Sequence, residues 1–370
     1  ILQKSLDTGE AEMVAVIGRR RVGKTYLVRS FFKEKVIFEM TGVKDIPLEQ
    51  QLKNFSGRLT EAAGAPLPLR QPADWFEAFR LLEACLQPFL GAEKKVVFLD
   101  ELPWMAGDKT DFVSALGYFW NSWASRKNLV VVICGSAASW MIKNIINDTG
   151  GLYNRVTRRI FLQPFTLAET EAYLKNKNLH FTRYHIVQLY MAMGGIPHYL
   201  KEIEGDKSAV QNINAACFSP NGLLRDEFAN LYPALFSNAT NHVAVIRALA
   251  SKQMGMTRQQ IAESSKVPNG GGLTRVLEEL TQSGFISDYQ PFGKEKKEKL
   301  FRLTDEYSLF YLRFIEGSQF EGADTWNLFS QTQAYKTWSG YAFENVCLRH
   351  IPQIKKALGI SGIYATASSF

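Results

Sequence analysis

Cysteine is scarce in this 370-residue chain: Cys85, Cys134, Cys217 and Cys347 are the only four. They are widely spaced, with no Cys-x-x-Cys pair and no histidine at ligand distance, which argues against a zinc site or a disulfide framework. Cys134 lies in an apolar run and reads as a buried thiol. Such usage suits a reducing compartment, so a cytoplasmic location is expected. Long apolar runs are also missing. The longest compact one, residues 129–134 (LVVVIC), fits a buried strand rather than a membrane span, and no membrane partner is expected. No secretory signal heads the chain, and it begins at Ile1 rather than Met, so upstream residues are expected to be missing. There is no internal repeat.

What is present is ordinary globular composition, with 46% hydrophobic and 21% charged residues, in a length that suits two or three domains. The formal net charge of +7 is compatible with a nucleic-acid partner and equally with simple solubility.

Apolar runs at residues 13–18, 36–40, 95–99, 129–134 and 160–162 read as strands, and helical spacing fills the intervals at 25–33, 49–62, 75–90 and 112–125. Strands alternating with helices over the first 165 residues predict a parallel α/β sheet sandwiched by helices. After Pro164 the pattern is helical to about residue 235. Three short helices follow from Val243, and then two strands, 285–290 and 299–303, around a charged tip. Thr257 and Gln260 have the spacing of a capping box, Gly284 would end the third helix, and the layout is that of a winged helix.

The first strand runs into Gly18-Arg19-Arg20-Arg21-Val22-Gly23-Lys24-Thr25, which matches G-x-x-x-x-G-K-[ST]. The loop must turn successive backbone N–H groups inward at an anion, and Gly18 and Gly23 permit the close approach that this needs. The helix starting near Lys24 directs its positive end at the same phosphates. Lys24 would reach the β- and γ-phosphates and Thr25 would ligate Mg²⁺; with Tyr26 these residues form the candidate nucleotide-binding segment. A chance match somewhere in a chain of this length is about one in a hundred, and the strand-before, helix-after context sharpens it further.

The strand at 95–99 ends in Asp100 and Glu101. An acid at that position can hold Mg²⁺ beside a phosphate loop, which suits Asp100, and the adjacent Glu101 is the candidate general base for hydrolysis. Ser136, at the tip of the strand 129–134, is the candidate for a sensing position, an ordinary strand-to-loop serine being the alternative. Arg155, Arg158 and Arg159 precede the last strand. Arg155 is the candidate arginine finger towards a nucleotide on a neighbouring copy, a solvated basic turn being the alternative.

The loop GRRRVGKT, the strand VVFLDELPWM, the stretch ICGSAASWM and the segment GGIPHYL together resemble the AAA+/STAND class of P-loop ATPases, and more narrowly the ATPase family found mainly in archaea. The resemblance implies ATP or ADP with Mg²⁺, and a helical lid whose Gly195 and Pro197 pack near the adenine. It implies a winged helix after the lid, and, from the run Trp338-Ser339-Gly340-Tyr341-Ala342-Phe343-Glu344, the opening of a nuclease-like C-terminal domain. The metal-binding Asp and Glu-x-Lys of such a domain do not follow, so Glu344 would be one ligand of an incomplete site. The implied division is a P-loop core over 1–165, a lid over 166–238, a winged helix over 239–316 and a partial α/β segment over 317–370.

Three functional readings stand: an ATP hydrolase that moves its lid and winged helix, a slow nucleotide-gated switch, and an ATP-dependent DNA-binding protein. The third helix of the winged segment, 273–282, offers Thr274 and Arg275 to DNA but also Glu278 and Glu279, which face phosphates badly. A homo-oligomer or a protein partner is open on the sequence.

Overall fold

The computed structural model describes residues 1–107, 110–290, 299–318 and 324–363. It divides into two compact units, Ile1–Gln163 and Pro164–Phe370.

Unit 1 runs α1 (Leu2–Asp7), β1 (Glu12–Ile17), α2 (Lys24–Phe32), β2 (Val36–Thr41), α3 (Leu48–Ala63), α4 (Trp75–Leu86), β3 (Lys95–Asp100), α5 (Leu102–Ala106), α6 (Phe112–Ser122), β4 (Leu129–Gly135), α7 (Ala138–Met141) and β5 (Arg158–Phe161). The five strands form one parallel sheet in the order β2-β3-β4-β1-β5. Its central strands are apolar on both faces because both faces are covered. Val14, Val16, Val96, Phe98, Val130, Val132 and Cys134 point to a core shared with Leu2, Val28 and Phe32 of α1 and α2. The alternate residues Met13, Ala15, Ile17, Val97, Leu99, Val131 and Ile133 meet Phe55, Trp75, Phe79, Phe112 and Phe119 of α3, α4 and α6. The expected helix 75–90 stops at Leu86 and tightens into a 3-10 turn, Gln87–Phe89, where Pro88 has no N–H to continue the ladder. The expected helix 112–125 ends at Ser122, and a second 3-10 turn, Ala124–Arg126, follows it.

Unit 2 opens with α8 (Leu167–Asn176), α9 (Arg183–Met193), α10 (Pro197–Leu200), α11 (Ala209–Cys217) and α12 (Glu227–Leu231). It continues with α13 (Thr240–Ser251), β6 (Met256–Thr257), α14 (Arg258–Ser265), α15 (Gly271–Gln282), β7 (Ile286–Tyr289) and β8 (Leu300–Leu303), the strands pairing antiparallel in the order β6-β8-β7. Thr257 and Gln260 do form a capping box at the start of α14. The two-residue β6 carries no periodic signal and was not expected. The charged tip between β7 and β8 lies outside the described residues, apart from Lys299.

The unit closes with α16 (Glu306–Phe310), α17 (Thr325–Phe329), α18 (Gln333–Arg349) and α19 (Ile351–Ala357). Trp338 of α18 is buried among Phe310, Phe314 and Trp326. Leu167 N–H donates to His350 Nε2 across 2.9 Å, so the end of α18 sits on the start of α8. Glu344, the candidate metal ligand, is instead clamped by the buried Arg302 of β8, whose Nη1 and Nη2 donate to its two oxygens at 2.9 and 3.1 Å. Among the described residues no group of three His, Cys, Asp or Glu is placed to hold a metal, and no helix is long and apolar enough to cross a membrane. The stretch 364–370, most of the expected loose end, lies outside the described residues.

Candidate functional site

β1 ends at Ile17, and the chain turns back into α2 through the loop 18–23. Gly18 is held against β5: a Cβ there would stand 2.4 Å from Leu162 O. Arg21 and Gly23 take left-handed backbone angles, φ 71° and 95°, which cost least at glycine and make Arg21 the strained member of the loop. Lys24 is buried at the first turn of α2, and its Nζ donates to Gly18 O (2.9 Å), Arg19 O (3.2 Å) and Ser136 Oγ (3.2 Å). A lysine buried on three neutral oxygens has no carboxylate hydrogen-bonded to it, which leaves its charge for an anion at the loop.

The acidic pair stands at the tip of β3, one strand beyond β4. Thr25 Oγ1 donates to Asp100 Oδ2 at 2.6 Å, and Glu101 N–H donates to Asp100 Oδ1 at 3.0 Å. Ser136, following β4, donates to Glu101 twice, from its backbone N–H at 3.0 Å and from its hydroxyl. Lys24, Ser136 and Glu101 are therefore joined by direct hydrogen bonds, as are Thr25, Asp100 and Glu101.

Burial raises the pKa of the Asp100 carboxyl, the neighbouring Glu101 carboxylate pushes the same way, and the Thr25 hydroxyl and Lys24 pull it back in part. A raised folded-state pKa means that this group favours folding at acid pH, a contribution lost as pH rises through that value. Ionised Asp100 is thus a cost to the nucleotide-free protein at neutral pH. Asp100→Asn is expected to raise the nucleotide-free melting temperature at pH 7, by on the order of 2–4 °C for each kcal/mol recovered. The gain should fade as pH falls, because the wild-type carboxyl is then neutral too. Melting curves across pH check this; a lower midpoint at pH 7 would show that burial is not the dominant cost.

Glu101 itself has φ 52° and ψ 52°, the left-handed region, at the head of α5. The strain is accommodated by a small neighbour. Gly42, just past β2, donates its N–H to Asp100 O at 2.9 Å, and a Cβ on it would stand 2.6 Å from Glu101 O and 2.8 Å from Met105 N. Both are backbone atoms, so a side chain at 42 must move the turn. Gly42→Ala is expected to lower ATP turnover about 10–100-fold by displacing the Glu101 carboxylate, while ADP affinity stays near wild type. Steady-state kinetics beside an ADP titration checks it; equal turnover would show that the turn can yield without harm.

Residues 1–203 match the family described as the ATPase domain predominantly from Archaea. The chain belongs to that family. It is a nucleotide-binding P-loop ATPase. An uncharacterized protein of Methanocaldococcus jannaschii is 21% identical over 361 residues, 96% of this chain and 76% of the relative. Among solved structures, the Walker-type ATPase of Pyrococcus abyssi aligns with a TM-score of 0.59 at 17% identity, covering 84% of this chain and 93% of that one. The ORC2 protein of Aeropyrum pernix, in its ADPNP–ADP complexes, aligns with a TM-score of 0.50 at 14% identity, covering 95% of this chain and 91% of that one. At these identities the likeness is one of fold.

In this ATPase, Lys24, Thr25, Asp100, Glu101 and Ser136 come together at the carboxyl ends of β1, β3 and β4, where parallel α/β sheets place ligands. Arg19 and Val22 are buried, Arg20 and Arg21 half-buried, and Tyr26 is 77% exposed on α2. Arg155 is exposed and precedes β5, at the opposite end of the strands. From there it would serve a nucleotide only on another copy.

In unit 2, Gly195 lies flat on the chain before α8: Phe165 N–H donates to Gly195 O at 2.7 Å, and a Cβ on Gly195 would stand 1.9 Å from Phe165 O. Pro197 opens α10. The glycine of that segment thus has a packing reason independent of any ligand. The donor set of unit 1 fits the ligands expected of it. A loop with left-handed backbone at Arg21 and Gly23 and a buried ammonium suit phosphates, and a hydroxyl and a carboxylate oxygen in contact suit Mg²⁺. Gly42 was not anticipated, and a glycine directly after an apolar strand was the available signal.

Proposed function

We propose that the chain hydrolyses ATP at this site with Mg²⁺, and that the nucleotide state repositions the helices of 166–238 and the segment 239–316. The observation that carries this reading is the pair of hydrogen-bonded chains that join Lys24 to Glu101 through Ser136, and Thr25 to Glu101 through Asp100. Lys24 and the inward N–H groups of the loop bind the phosphates. Thr25 and Asp100 would hold Mg²⁺, which when bound neutralises charge on the phosphate oxygens. Glu101 accepts a proton from water as the water oxygen attacks the γ-phosphorus; the bond to the bridging oxygen breaks, and ADP and phosphate leave. Ser136 steadies the Glu101 carboxylate and responds to the γ-phosphate, a reading supported by its contacts with Lys24 and Glu101. Gly195 and Pro197 belong to the helical segment read as the lid. The helix, strand, helix, helix, hairpin order of 240–303 supports reading that segment as a winged helix.

A second reading, the slow nucleotide-gated switch, is favoured by one specific contact. Glu101 is held by both donors of Ser136, one on each carboxylate oxygen, and hydrogen bonds that stabilise the ionised carboxylate make it a weaker base. Either reading needs the metal. ATP turnover is expected to vanish with a chelator and return with added Mg²⁺, measured as phosphate release. Turnover that persists in the chelator would remove the roles given to Thr25 and Asp100.

A further inference from the structure

The guanidinium groups of this chain divide by what they touch. Between Thr240 and Leu303 the arginines are Arg247, Arg258, Arg275 and Arg302, and the chain's own acceptors engage all four. Arg247 pairs with Glu316, Arg275 with Glu279 and Arg302 with Glu344. Arg258 donates to Asn269 Oδ1 and Gly270 O. Helix α15 adds an exposed Glu278 to its outer face. A polyanion arriving there would meet guanidinium groups already engaged, with a carboxylate beside them.

The foot of the sheet in unit 1 is different. A polar cleft of about 520 Å³ opens among the turns that lead into β1, β4 and β5. Arg126, Lys127 and Arg155 line it, with Ser125 and Asn154 as further donors and Glu10 as its carboxylate. The local fold sets these groups outward. Ala124 is buried under the 3-10 turn that ends in Arg126. Asn154 takes φ 52°, and Val156 is buried behind the exposed Arg155. Lys127 lies over the Trp123 ring at 5.3 Å, which fixes its direction without cancelling its charge. Among the described residues the side chains of Arg126 and Arg155 have no hydrogen-bond or ion-pair partner. By contrast, Arg29, Arg58, Arg70 and Arg158 of the same unit are each paired with a glutamate.

We propose that this cleft seats the phosphate backbone of a nucleic-acid strand, at the end of the sheet opposite the nucleotide loop. Unpaired guanidinium forks match two phosphate oxygens each, and the net charge of +7 would draw a polyanion in over a distance. An acidic peptide fits less well. Such a partner is anchored by apolar side chains in pockets, and the Trp120 that lines the cleft is buried, 4% exposed.

The test is fluorescence anisotropy of a labelled oligonucleotide of about 20 nucleotides, single-stranded and as duplex, from about 50 to 200 mM salt. Wild-type protein should bind with a steep salt dependence. Arg126→Glu/Arg155→Glu should weaken binding at least about tenfold at low salt and flatten the log–log slope by about 1.4 for the single strand or 1.8 for the duplex. Arg275→Glu on α15 should leave the slope as it is. The melting temperature of the double variant controls for folding, and Arg126→Gln/Arg155→Gln replaces it if that temperature falls. The proposal is overturned by any of four results: no binding at low salt, an unchanged slope in the double variant, an equal loss in Arg275→Glu, or displacement of the strand by a glutamate peptide as readily as by unlabelled strand. Turnover that rises with protein concentration, and loses that rise in Arg155→Glu, would assign the cleft to a second copy's nucleotide and would also overturn it.

Discussion

Lys24→Ala is expected to lower ADP and ATP affinity about 10²–10⁴-fold, the loss of two or so charge-assisted hydrogen bonds to phosphate at roughly 1.5–3 kcal/mol each. The side chain is buried and its three donors stand on Gly18 O, Arg19 O and Ser136 Oγ. Its removal therefore takes away both the cation and the tie that holds the loop to the tip of β4. The effect should be confined to unit 1. Helical circular dichroism from unit 2 should persist, since none of its helices depends on this contact. Calorimetric titration with ADP gives the affinity, and undiminished binding would overturn the assignment of the whole loop.

Glu101→Gln should leave affinity close to wild type and lower turnover about 10²–10⁴-fold, the usual range for losing a positioned general base. Glutamine keeps a carbonyl that can accept from Ser136 N–H and keeps the shape of the left-handed turn, so the site should still close on nucleotide. Bound ATP should then be retained through gel filtration, where wild-type protein releases ADP. If wild-type turnover is as slow as the variant's, proton abstraction by Glu101 is not what limits the chain, and the switch reading takes its place.

The sequence speaks plainly where the chemistry is local. The strands 95–99 and 129–134 are legible because a strand covered on both faces must be apolar at every position, and Asp100 and Ser136 are legible because polar residues end those runs. The phosphate loop is legible because its backbone geometry requires its glycines. What escaped depends on partners far along the chain. Gly42 matters only because β2 lies beside β3 and brings it under Glu101. Glu344 resembled a metal ligand until β8 supplied Arg302, 42 residues earlier in the chain. The end of α4 at Leu86 is marked by Pro88 although helical spacing runs on to residue 90, and the two-residue β6 exists only because β8 is there to pair with it.

The strand order also dictates when the site can come into being. β1 is synthesised first, yet its neighbours are β4 and β5, pairing Glu12 with Val130 and Val14 with Arg158. Until β4 and β5 have also left the ribosome, the phosphate loop hangs between an unpaired strand and a helix with nothing to pack on. Closing so long a chain segment costs entropy before any contact rewards it. The nascent first strand, apolar on both sides, is exposed throughout that wait. The loop is thus encoded beside the first strand of this sheet and can be completed only when the later strands β4 and β5 pair with it. A truncation anywhere before Phe161 should leave its motif present in the sequence and absent as a structure.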